Sequence, residues 1–183
     1  MGKGIRRVVT GHDETGKAIV VSDDIATNIL SRPNRPGVTL TNFWQTFENP
    51  VPFDGPDETL DGPLVLKPPK NGTVFRFVEF EPEDPEVLKT LDGRAAFAEM
   101  GAADRIKDNQ RHPFMHRTDS LDYAVVVKGK IVMMMDEEED DLVLEAGDVL
   151  IQRGNNHAWS NQFDETCIIA FVLMDGKGDI DRW

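Results

Sequence analysis

The strongest constraint on this chain is a hydrophobic period of two that recurs in short runs. Residues 37–47 (GVTLTNFWQTF) alternate and are rich in β-branched and aromatic side chains, and residues 73–81 (TVFRFVEFE) repeat the pattern. The signal returns at 123–127, 130–135, 142–145, 149–152, 157–161 and 166–174. An extended chain places residues i and i+2 on one face, so each run offers one side to a core. Turn signals separate the runs: Lys128-Gly129, the acidic stretch 136–141, Ala146-Gly147-Asp148 and Gly154-Asn155-Asn156. Many short strands with such punctuation predict a sandwich or a barrel. Residues 6–10 and 18–23, around Gly11-His12-Asp13, predict an N-terminal hairpin.

Two interruptions break the strand pattern. Residues 48–72 hold six prolines and three glycines, which predicts a long irregular connection with one brief strand at 64–66. Residues 84–108 form the one helical stretch, with Asp84 placed as an N-cap and Pro85 at the first helical position. The 183 residues suit one domain. Within it, 1–83 supply outer strands and the proline-rich connection, 84–108 the helical insertion, 109–175 a compact strand set, and 176–183 a C-terminal tail.

Charge narrows the partners. Asp and Glu number 33 against 20 Lys and Arg, a formal charge of −13, which speaks against nucleic acid and against an anionic membrane. The acidic run 136–141 lacks the glycine and outlying glutamate of a calcium loop, so it reads as a solvated turn. The N-terminal residues carry charge with no apolar run behind it, Arg6 stands where a myristoylation site needs Ser or Thr, and no stretch approaches 18 apolar residues. The expectation is a cytoplasmic protein. A lone cysteine, Cys167, sits in an apolar run and is expected to be a buried, inert thiol.

Chemistry concentrates in the second half, where three of the four histidines lie. One segment runs His112-Pro-Phe-Met-His116-Arg-Thr118-Asp-Ser-Leu-Asp122-Tyr123 toward Gly129, and another runs from Gly147 through Gln152, Arg153 and Gly154 to His157, Trp159 and Asn161. Parity puts His116 with Thr118, and His157 with Trp159 and Asn161. The two segments resemble the paired motifs of the cupin superfamily. His116 falls on the first histidine of the first motif and Thr118 on the second. Asp122, with six residues between it and Gly129, falls on the glutamate, and His157 with Asn161 matches the end of the second motif.

The resemblance implies an all-β double-stranded β-helix, the cupin jelly-roll barrel, with a short helical insertion before the first motif. It implies a small organic substrate or ligand in the barrel cavity. The chemistry could be of dioxygenase, decarboxylase, isomerase or dehydratase type; the alternative is a non-catalytic small-molecule binder without metal. The family's metal set is three histidines and a glutamate, so Thr118 and the shorter Asp122 are departures. His116, Asp122 and His157 remain, either as ligands of a divalent Fe, Mn, Ni or Zn ion or as an acid–base set. His112 would add a third nitrogen if the chain bends inward at Pro113. Trp159, Arg153, Gln152, Thr118 and Trp44 are the candidate substrate contacts, with Arg153 as a carboxylate clamp. The N-terminal strands, whose edges need covering, suggest a homodimer.

Overall fold

Alternation builds the large sheet in the computed structural model, which describes residues 4–57, 59, 62–107 and 110–178. Six strands form it: β3 (Ile29–Arg32), β4 (Arg35–Thr46), β5 (Thr73–Phe80), β6 (Ser120–Lys128), β9 (Val149–Arg153) and β11 (Cys167–Asp175). Their order is β3-β4-β5-β11-β6-β9, with every pair antiparallel. A second sheet, in the order β10-β7-β8, joins β7 (Lys130–Met134), β8 (Leu142–Glu145) and β10 (Ala158–Ser160). The N-terminal hairpin, β1 (Arg6–His12) with β2 (Ala18–Ile25), stands as a two-stranded sheet of its own.

The alternate residues of the large sheet meet the small sheet in one core. Val74, Val78 and Phe80 of β5 face Ile169, Phe171 and Leu173 of β11, and Ile131, Met133 and Trp159 close the core from the small sheet. Val74, Ile131 and Ile169 are wholly buried, and each contributes roughly 1.5–3 kcal/mol on leaving water. Cys167 is also buried, and burial pushes its thiol up to about 11. Gly129 makes the β6–β7 turn at φ +74°, where a Cβ would lie 2.7 Å from the Thr166 carbonyl oxygen.

The all-β barrel expected from the motifs is the fold observed. Several finer expectations need correction. Strand β3 was not anticipated, and residues 64–66 form no strand: Pro63, Pro68 and Pro69 strip donors from the segment, and the Leu66 N–H donates instead to the Met100 carbonyl at 3.2 Å. The first half does not supply only outer strands, since β4 and β5 sit inside the large sheet. His12 ends β1 opposite Ala18, and the hairpin turn follows it, closed by Asp13 Oδ1, which accepts from the Thr15 and Lys17 N–H groups.

The helical insertion is broken into α1 (Pro85–Leu88), α2 (Gly93–Ala98) and a 3-10 turn at Ala103–Arg105. Asp84 caps α1 as expected, and Asp92 caps α2 by accepting from the Ala95 N–H. Ala96, Phe97 and Met100 turn inward and floor the core. Residue 108 of that stretch, residue 109 and residues 179–183 of the tail lie outside the described residues, as do residues 1–3. The acidic run folds as an exposed 3-10 turn, Glu138–Asp140, whose flanks are tied down: Asp141 pairs with Arg111 at 2.9 Å, and Asp136 accepts from Asn156 at 2.6 Å. Among the described residues, no helix is long and apolar enough to cross a membrane.

Candidate functional site

A cavity of about 100 Å³ lies between the sheets. That is of the order of cavities that take up a single aromatic ring. His116, Thr118, Asp122, Gln152, His157 and Trp159 all line it.

The two imidazoles are placed by a local bridge. His116 and His157 exchange both backbone hydrogen bonds, at 2.9 and 3.1 Å, in an isolated antiparallel pair. Residues directly opposite in such a pair share a face, so the rings meet with centroids 4.5 Å apart. Gly154, at φ +63°, lets the preceding turn double back and bring His157 to this position. Each ring is fixed by its own chain. His116 Nδ1 lies 2.9 Å from the Phe114 carbonyl oxygen, and His157 Nδ1 lies 3.1 Å from that of Asn155. A carbonyl only accepts, so Nδ1 carries the proton and Nε2 keeps its lone pair. Burial, and for His116 the neighbouring His157, keeps both rings neutral: His116 is held well below the ordinary 6.5, and burial brings His157 down to about 4. Phe97 packs 4.5 Å from the His116 ring, and Trp159 stands edge-on to His157 at 6.0 Å.

Asp122 is supplied by the large sheet. Strand β6 buries Ser120, Asp122, Ala124 and Val126 on one face, so the carboxyl points inward by parity. Its register partner on β9 is Gln152, whose Nε2 donates to Asp122 Oδ2 at 3.0 Å. Asp122 Oδ1 is buried with no partner. Burial pushes this carboxyl up to about 6, against the pull of the Ser120 hydroxyl and then of Arg76. Thr118 accepts a hydrogen bond from Ser120 at 2.9 Å. Asn161 is structural: its side-chain N–H groups donate to the Phe80 and Glu165 carbonyls, and its Oδ1 accepts from the Phe163 N–H.

Other candidates are placed elsewhere. Trp44 is not on the cavity wall. A bulge between Asn42 and Trp44 inserts Phe43 and inverts the parity of β4, so Trp44 opposes outward-facing Phe75 and lies under the Arg7 guanidinium, 5.3 Å from its ring. Arg153 pairs with Leu121 at the end of β9, is exposed, and does not line the cavity. His112 does not turn toward His116. Its Nδ1 accepts from the Phe114 N–H at 3.2 Å, and its Nε2 lies 3.4 Å from Glu83 Oε1.

These placements decide the fit of a metal ion. Among the described residues, no group of three or more His, Cys, Asp or Glu side chains is arranged to hold one. The expected set of His116, Asp122 and His157 forms no such group: Asp122 Oδ2 accepts from Gln152, and His112 Nε2 lies beside Glu83.

Three arginines were missed by the sequence reading. Arg32, Arg35 and Arg76 are buried and line the cavity. Arg35 pairs with Glu83 at 2.8 Å and stacks over Phe114 at 3.9 Å. Burial pushes the Glu83 carboxyl up, and the donors around it, His112, Ser160 and Arg35, more than reverse that and hold it ionised. Arg32 donates to the Ala96 carbonyl. Arg76 is the one whose signal was available: it alternates with Val74, Val78 and Phe80 in TVFRFVEF and so belongs to the core face.

No protein-family model matches the chain. It is similar to the cupin-domain-containing oxidoreductase virC of Hypocrea virens, at 29% identity across 97% of this chain and 83% of that protein. It is similar also to the cupin-domain-containing oxidoreductase fogC of Aspergillus ruber, at 26% identity across 94% of this chain and 74% of that one. A solved cupin-2 domain from Rhodospirillum rubrum superposes with a TM-score of 0.42, at 12% identity, over 82% of this chain and 71% of that chain.

Proposed function

The chain belongs to the cupin superfamily, and from that premise we propose that it is a small-molecule enzyme whose barrel cavity moves a proton on an apolar organic substrate. The observation that carries this is that one carboxyl and two neutral imidazoles line one cavity, with Asp122 Oδ1 left without a partner. Asp122 is the proton carrier, because its affinity near 6 lets it both take and return a proton around neutral pH. His116 and His157 accept from the substrate through Nε2 and hold it against that carboxyl. Trp159 and Phe97 keep the cavity dry. Isomerisation, dehydration and decarboxylation share this requirement.

The test is deuterium exchange at the α-carbon of a panel of hydroxyl-bearing aromatic ketones in D2O, followed by NMR alongside a binding measurement. Wild type should accelerate exchange of the ketones it binds, and Asp122→Asn should lose roughly 10²–10⁴-fold. Binding without exchange would make the chain a small-molecule binder instead. One equivalent of Fe, Mn, Ni or Zn per chain after chelator-free purification, lost in His116→Ala, would replace proton transfer with metal chemistry. The names of the relatives favour a second reading, oxidation–reduction; it would show as stoichiometric consumption of an electron acceptor during turnover.

We also propose a homodimer. The β1–β2 sheet joins neither of the others and exposes Val8, Val20 and Val21, and a second copy would cover its open edges. Sedimentation at twice the 20.5 kDa chain mass is expected, and a monomer at high concentration would refute it.

A further inference from the structure

On edge strand β3, Arg32 Nε is buried at this cavity without a partner, and around β11 the large-sheet wall carries three more such atoms that the chain itself does not satisfy. They are Asp122 Oδ1, Gln152 Oε1 and Arg76 Nε, on side chains each 2% exposed. Their other atoms are engaged. Gln152 Nε2 donates to Asp122 Oδ2 at 3.0 Å, and Arg76 Nη2 donates to the Val65 carbonyl at 2.8 Å. All three residues line the cavity. Buried polar groups in a folded protein are almost always paired, so a cluster of three open ones on one wall points to a ligand group that completes them.

The sheet register fixes the arrangement. Asp122 and Gln152 are direct partners on β6 and β9, and Asp122 opposes Leu173 on β11. Arg76 opposes Phe171, two residues along the same strand β11 from its other side. The wall therefore presents two adjacent acceptors, flanked across β11 by one guanidinium donor.

We infer that this wall recognises a neutral polar head with two adjacent hydrogen-bond donors, of which one also accepts: a vicinal diol or catechol-like pair of hydroxyls on an apolar ring or chain. One hydroxyl donates to Asp122 Oδ1, the other to Gln152 Oε1, and one of their oxygens accepts from Arg76 Nε. A carboxylate is disfavoured although Arg76 is cationic, because it brings no proton to two facing acceptors. The inference rests on the reading of the cavity as a small-molecule site and names the substrate class for it.

The test uses four probes of similar shape: catechol, 2-fluorophenol, 1,2-difluorobenzene and benzoate, titrated calorimetrically under argon. Replacing hydroxyl by fluorine removes a donor with little change in size. Wild type should bind catechol about tenfold tighter than 2-fluorophenol, and 2-fluorophenol about tenfold tighter than 1,2-difluorobenzene, as expected for losing a hydrogen bond to a buried partner. Benzoate should bind more weakly than catechol. Gln152→Met, which keeps the length and removes the acceptor, should abolish one of the two steps. Equal affinity across the fluorinated series, tighter binding of benzoate, or no binding of any probe at millimolar concentration by folded wild type would overturn the assignment. The probe series needs no turnover. Graded binding without ketone exchange would sink proton transfer and leave the diol head standing, and exchange without graded binding would do the reverse.

Discussion

The two walls of the cavity are finished to different degrees. On the loop-side wall, His116 and His157 each settle their Nδ1 on a carbonyl two residues earlier in their own segment. That wall has its tautomers set and its rings neutral, with each Nε2 lone pair kept for a ligand. On the sheet-side wall, Asp122, Gln152 and Arg76 meet from three strands and keep open atoms. Local bonds within one segment can satisfy a side chain fully, whereas groups on rigid neighbouring strands are held at positions the sheet dictates. The unfinished wall is where a ligand has the most to add.

Asp122→Asn breaks this comparison most severely. Its expected loss in proton exchange is roughly 10²–10⁴-fold, with ligand binding retained, as read by NMR.

The walls should also respond oppositely to pH. His157 is brought from an ordinary 6.5 to about 4, so the unfolded chain binds a proton that the folded chain refuses. Its contribution is fully present above pH 6.5 and is lost as pH falls through 4, by about 3 kcal/mol at most. His116 acts in the same direction. Urea titrations at pH 4.5 and 7.5 should therefore show wild type weaker in acid, and His157→Gln should lessen the difference.

Asp122 works the other way. Its folded value near 6 lies above the ordinary 3.8, so ionising it costs the folded state about 3 kcal/mol at most above pH 6 and nothing below 3.8. Asp122→Asn should thus be more stable than wild type at pH 8 and should match it at pH 3, and its stability should climb more steeply between pH 4 and 6. A residue whose removal ends activity and strengthens the fold is expected where function is kept at the expense of stability. At the small end, Arg153→Ala should change stability by no more than about 0.5 kcal/mol and leave ketone binding unaltered, since its side chain is exposed and off the cavity.

Much of the fold was legible because burial follows parity along each strand. Val74, Val78 and Phe80, or Ala124 and Val126, can be assigned to the core from spacing alone. The same rule brought His116, Asp122 and His157 to one hollow. It failed at Trp44 because a single inserted residue, Phe43, reverses the face, and nothing in GVTLTNFWQTF marks the insertion. Strand β3 was missed because four residues ending in Ser31-Arg32 give alternation too little length to register. The helical stretch fragments because Asp92 starts a new helix before Gly93 and Gly101, at φ +67°, ends the turn after α2. Arg76 went unnoticed for a different reason: a charged residue in a core-facing position reads as an exception to a strand, although such an exception is itself the sign of a site. His112 was misplaced because its partner, Glu83, lies far off in sequence.

The position of β11 has a consequence for how the molecule comes to exist. This last strand lies between β5 and β6 and pairs with both. Until residues 167–175 leave the ribosome, the earlier strands can assemble only as two separate ribbons, β3-β4-β5 and β6-β9, with nothing to join them into one sheet. Arg76 stands on the first ribbon, and Asp122 and Gln152 stand on the second. The pocket is therefore a product of β11, and a chain cut short before residue 167 would carry Arg76, Asp122 and Gln152 but no pocket.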